Sequence, residues 1–73
     1  MSRIGALGPR DDVDGFALAG VVVLVADDAG AVDAAWDALP DDVGVLLLAP
    51  RAADCLATRL SERPELLTLV MPR

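Results

Sequence analysis

Val43-Gly44-Val45-Leu46-Leu47-Leu48-Ala49 is a stretch of seven residues without one polar side chain. Side chains of a strand alternate between two faces, so Val43, Val45 and Leu47 point one way and Leu46 and Leu48 the other. Both faces are then apolar and both need cover. A strand covered on its two faces is the mark of a parallel sheet with helices on either side.

The flanks support that reading. Pro50 suits the first turn of a helix, and Ala53, Leu56, Ala57 and Leu60 repeat at helical spacing, with Arg51, Asp54, Arg59 and Glu62 turned outward. Pro64 ends this stretch. Leu66 to Met71 is a further apolar run, closed by Pro72 and Arg73. Upstream, Val32, Ala35, Trp36 and Leu39 fall at i, i+3, i+4 and i+7, with Asp33 and Asp37 opposite. Asp27-Asp28 offers an N-cap and Pro40 a break. Before that helix, Val21 to Ala26 is a β-branched string typical of a strand. The chain begins with a brief apolar run, Arg3 to Leu7, and Gly8-Pro9 follows. Asp11 or Asp12 can cap the next helix, which carries Val13, Phe16 and Ala17 at helical spacing and reaches Gly20, a residue suited to a helix end.

The order βαβαβαβ implies parallel strands joined by right-handed crossovers. The expected fold is an α/β domain with an open, flavodoxin- or Rossmann-like sheet in strand order 2-1-3-4 and three helices. Passing from the first strand to the second moves one way across such a sheet, and the next two crossovers move the other way. The first helix then lies alone on one face, while the second and third share the opposite face. Strands 3 and 4 lack a helix on the first helix's side, where a complete doubly wound domain would place a fourth. An apolar patch is expected over Leu46, Leu48 and one side of the last run, with Leu67, Leu69, Val70 and Met71 as its candidate interface residues. Such patches mark interaction sites. The chain stops before a fourth helix, so it is expected to be truncated or naturally short.

Composition sets the outer limits. With 73 residues the chain is one domain, and 55% apolar content argues against disorder. No apolar run reaches the roughly 18 residues that a membrane crossing needs, and the start, Met1 to Gly5, lacks the apolar core of a signal peptide. A soluble, intracellular protein is expected. The formal net charge is −6, and all 6 basic residues are Arg. Nucleic-acid binding, which depends on phosphate neutralisation, is therefore disfavoured. With no His and 1 Cys, the chain can form neither an internal disulfide nor a Cys/His zinc site.

The candidates for chemistry have plainer readings. Gly5 to Asp12 (GALGPRDD) sits at a strand-to-helix turn, a place where phosphates bind, but it lacks the three-glycine dinucleotide spacing and a P-loop Lys. The pairs Asp11-Asp12, Asp27-Asp28 and Asp41-Asp42 invite comparison with the acidic Mg²⁺ pocket of receiver domains. Those domains also need an Asp closing strand 3 and a later Lys, whereas this strand ends in Ala49-Pro50 and the chain has no Lys. Caps and solvated turns explain the acids. Cys55 lies beside the apolar face of the third helix with no His to serve as base, and reads as a quiet, partly buried thiol. Trp36 and Phe16 read as core. No residue set supports a nucleophile, a general base, a metal or another cofactor, which leaves a binding surface.

Gly8 to Gly20 (GPRDDVDGFALAG) resembles the F subunit of the V-type and archaeal A-type rotary ATPases. The likeness is carried by Gly15-Phe16-Ala17-Leu18-Ala19-Gly20 leading into Val21–Val25. Val43-Gly44-Val45-Leu46-Leu47-Leu48 before a helix follows, then Pro64, an apolar strand and Pro72. It covers nearly all of the chain. The resemblance implies a non-catalytic rotor subunit of the central stalk, cytoplasmic and peripheral to the membrane. Its implied partners are the coiled-coil D subunit of the stalk and the other ATPase subunits. Where that family commonly has an Arg inside the Gly-Phe segment, this chain has Ala17, and any contact made by that Arg is lost. Family members also continue into a C-terminal helix along the stalk, whose contact cannot be carried over. The second reading is a flavodoxin-like signalling or ligand-binding domain, which would hold a small anion or nucleotide near Gly8–Arg10 and Ala49–Arg51. Either way, with one sheet face half open, the isolated chain is expected to form a homodimer or to pack that face in crystals.

Overall fold

A computed structural model describes residues 3–72; Met1, Ser2 and Arg73, including the closing role expected for Arg73, lie outside the described residues. The chain forms β1 (Arg3–Gly8), α1 (Arg10–Val13), β2 (Val22–Val25), α2 (Ala29–Asp37), β3 (Val43–Leu48), α3 (Pro50–Leu56) and β4 (Leu67–Val70). The four strands pair in parallel in the order β2-β1-β3-β4, as the alternation of elements predicts.

The crossovers distribute the helices as the handedness rule requires. Val32 and Trp36 of α2 and Ala52 and Leu56 of α3 pack with Leu7, Leu46 and Leu48 in one core on one face of the sheet. Val13 of α1 is fully buried outside that core, as is Ala6, whose side chain has the opposite parity to Leu7. Trp36, 1% exposed, is core as expected. Asp28 caps α2 by accepting from the Ala31 N–H at 2.7 Å, and Pro50 opens α3.

Four local expectations are corrected. The helix expected from Asp11 onward is an α-turn of four residues that continues as a 3-10 helix over Asp14–Ala19, and its N-cap is Pro9, with no side-chain bond from Asp11 or Asp12. A 3-10 helix stacks i on i+3 and spreads its apolar residues differently from an α-helix, so Phe16 is half-buried, not core, and Leu18 is 96% exposed. Gly20 does end this segment, at φ 77°, a backbone that costs a side-chain-bearing residue about 1 kcal/mol or more. α3 stops at Leu56, short of the expected reach to Leu60, and the chain turns through a 3-10 segment at Leu60–Glu62. Cys55 is exposed: Ala52 and Leu56, one turn apart, define the buried stripe of α3, and Cys55 falls beside it toward solvent.

The fourth correction concerns β3. Its register with β1 shifts between Arg3 and Ile4, which pair with Val43 and Val45 and leave Gly44 as an extra residue. This β-bulge interrupts the alternation. Val43 therefore joins Leu46 and Leu48 in the helix-covered core and does not share a face with Val45 and Leu47. A Cβ placed on Gly5 would lie 3.2 Å from both Leu46 Cδ1 and Val43 Cγ1, so these two side chains close over the same glycine.

A candidate docking surface

Leu46 and Leu48 are fully buried beneath α2 and α3, so they cannot line an exposed patch. The expected open region exists on the same two strands, but with the other parity. Val45 pairs with Leu67 and Leu47 with Leu69, and these four side chains share the face that carries α1. α1 and the 3-10 segment after it lie over β1 and β2, which leaves β3 and β4 uncovered there. Leu67 is 55% exposed and Leu69 47%, and Ile4, which pairs with Val45, is 47% exposed. Ile4, Val45 and Leu47 belong to this strip although none was expected there: alternation sets Val45 and Leu47 on a common face but does not say which face α2 and α3 cover. Gly44, a glycine inside a strand, signals the bulge that moves Val43 alone to the covered face.

Val70 is 59% exposed but pairs with Leu48, which puts it on the α2–α3 face at the margin of the sheet. Met71 is half-buried; its N–H donates to the Leu48 carbonyl at 2.8 Å, and it borders the cleft described next. The structure thus gathers Leu67 and Leu69 into one surface, sets Val70 on the other side, and withdraws Leu46 and Leu48.

At the carboxyl ends of the strands the two loops singled out for anion binding do come together. Ala49 N–H donates to the Leu7 carbonyl at 3.0 Å, and a cleft of about 470 Å³ opens between Pro9, Asp11, Asp12, Pro50, Arg51 and Met71. On the other side of Pro9 and Arg51 lies a second cleft of about 340 Å³, bordered by Asp27, Asp28 and Asp54. Five carboxylates thus line the two clefts that share Arg51, and one of them, Asp27, already accepts from the Arg10 backbone N–H at 3.1 Å. Repulsion from these acids opposes a phosphate or nucleotide. Among the described residues no group of three or more His, Cys, Asp or Glu side chains is placed to hold a metal ion.

Other acids tie elements together. Asp42 accepts from Arg3 Nε at 2.6 Å and Nη2 at 2.8 Å, which fastens the start of β1 to the turn before β3. The Arg3 bond holds the Asp42 carboxyl below the usual carboxylate range. Asp33 and Asp37 on α2 face Arg59 at 3.3 and 2.6 Å.

No family model and no curated protein matches this chain. Among solved structures it is similar to the F subunit of the V-type ATP synthase of Archaeoglobus fulgidus, with a TM-score of 0.77 and 23% identity over 97% of this chain and 98% of that one. Over almost its whole described length, the chain has the fold of that F subunit.

Proposed function

We propose that the chain is the non-catalytic F subunit of a V-type or A-type rotary ATPase. In this role it sits in the central stalk, binds the stalk's coiled-coil D subunit, and helps couple ATP turnover to ion transport. The observation that carries the reading is the likeness, across nearly both chains and at a TM-score of 0.77, to a protein of that kind. The open strip of Ile4, Leu67 and Leu69 supports it, because it offers an apolar seat to the side of a long helical partner. The place proposed for the chain in such a complex is cytoplasmic and peripheral to the membrane; no described helix is long and apolar enough to cross one.

The test is stoichiometric complex formation with the cognate coiled-coil D subunit, read by size-exclusion chromatography and calorimetry. Leu67→Asp and Leu69→Asp each place a charge on the strip and are expected to weaken binding at least tenfold while leaving the circular dichroism unchanged. Failure of the unaltered chain to associate would remove the proposal.

A further inference from the structure

The outer edge of β4 carries a complete and unused set of strand-pairing groups. Met71 N–H donates to the Leu48 carbonyl, so Leu67, Leu69 and Met71 turn their backbone groups toward β3. Strand geometry then turns the N–H and C=O of Thr68 and Val70 outward. Among the described residues β4 pairs with β3 alone. Natural sheets protect such an edge with charges, prolines or bulges. Leu67-Thr68-Leu69-Val70-Met71 contains no charge and no proline, and Leu67, Leu69 and Val70 are each about half exposed.

We propose that the partner of this edge is β4 of a second copy, in an antiparallel, two-fold pairing centred on Leu69. The register follows from the free groups. With Thr68 opposite the second copy's Val70, and the reverse by symmetry, all four outward N–H and C=O pairs close into four hydrogen bonds. Centring on Val70 instead would set Thr68 against Pro72, which has no N–H to give. Centring on Thr68 would leave Val70 facing Leu66, beyond the strand. In the chosen register Leu69 meets its own copy as a non-hydrogen-bonded pair, with side chains at closest approach. The exposed Val70 gains Thr68 as a cross-strand neighbour on the other face, and no charged residue enters the paired segment. The two copies form a single eight-stranded sheet. This pairing is made by the backbone edge of β4, shares only Leu69 with the face offered to a helical partner, and holds whether or not the chain belongs to a rotor.

Sedimentation equilibrium of the full chain should show a concentration-dependent monomer–dimer equilibrium. It should shift toward dimer as salt screens the −6 charge of each copy. Val70→Pro removes an outward N–H without touching the β3–β4 ladder, a substitution that edge strands accept. It is expected to raise the dissociation constant tenfold or more, since two symmetry-related bonds are lost. In a Cys55→Ser background, Leu69→Cys should crosslink under mild oxidation, because a non-hydrogen-bonded pair brings Cα atoms to about 4.5 Å. Ser61→Cys, outside the pairing, should not. A chain that stays monomeric at all concentrations overturns the proposal, as does pairing with a foreign strand alone. A dimer that survives Val70→Pro unchanged and gives no Leu69→Cys crosslink overturns it too, because the contact then lies elsewhere.

Discussion

The Trp36 indole N–H donates to Glu62 Oε1 at 3.2 Å, tying the buried face of α2 to the turn that follows α3. Arg59 grips the same carboxylate at 3.1–3.3 Å and reaches Asp33 and Asp37 with its remaining donors. Arg63 completes the clasp: its Nη2 donates to the Trp36 carbonyl at 3.0 Å, and its guanidinium lies 5.3 Å from the Trp36 ring centre. α2 and α3 are both short, so a clasp between side chains fixes their relative position more than helix length can.

The clasp makes stability acid-sensitive. The Arg59 bond, and then the Trp36 bond, hold the Glu62 carboxyl below its ordinary value. A depressed carboxylate contributes stability above its unfolded pKa, about 4.3 for Glu, and loses that contribution as pH falls through the folded value. Glu62→Gln should therefore be less stable than the unaltered chain at pH 7, and the gap should narrow below about pH 4. Asp42, depressed by Arg3, adds a loss of the same sign near its unfolded value of about 3.9. Urea unfolding of both chains from pH 3 to pH 7 checks this; a gap that is constant with pH counts against it.

Gly8 is required by a close approach at the head of the sheet. A Cβ there would collide with the Cβ of Ala49. Gly8→Ala is expected to destabilise by about 1–3 kcal/mol, the usual cost of forcing an extra carbon into a packed site. Ala49→Gly in the same chain should recover part of this loss, and a non-additive double-mutant cycle would locate the clash.

The face assignment of β3 and β4 is testable by truncation. Leu48→Ala opens the buried core and should cost about 2–5 kcal/mol, whereas Leu67→Ala, on the open face, should stay within about 1 kcal/mol. Similar losses at the two positions would mean that the strip beside Leu67 is covered.

Strand order, helix placement and an uncovered half-face were legible because they follow from element order and handedness, which survive small errors in local structure. The identity of the uncovered residues was not. Alternation separates Val45 and Leu47 from Leu46 and Leu48 as observed, but both sets are apolar, so it does not show which of them α2 and α3 cover; the bulge at Gly44 moves only Val43 across. Phe16 escapes the reading as core because helical spacing cannot distinguish an α-turn from a 3-10 continuation. The clasp around Trp36 was invisible because Arg59 and Glu62 meet α2 across 22 to 26 residues of chain, and outward-facing charges read alike whether solvated or paired.

The clefts at the carboxyl ends of the strands give the sharpest separation from a ligand-binding domain. A useful ligand present at about 100 times its dissociation constant would stabilise the fold by roughly 2.7 kcal/mol, a readily measured thermal shift. Asp11, Asp12, Asp27, Asp28 and Asp54 line the two clefts that share Arg51, so nucleotides and inorganic phosphate are expected to give no shift. The acids are the cause, which supplies a second arm. Asp11→Asn with Asp12→Asn removes two of the five charges without changing side-chain size, and should leave the fold intact. If phosphate then shifts the melting temperature where it did not before, repulsion is what keeps the cleft empty of anions. If a nucleotide shifts the unaltered chain, the cleft tolerates the charge, and the case against a ligand-binding domain fails.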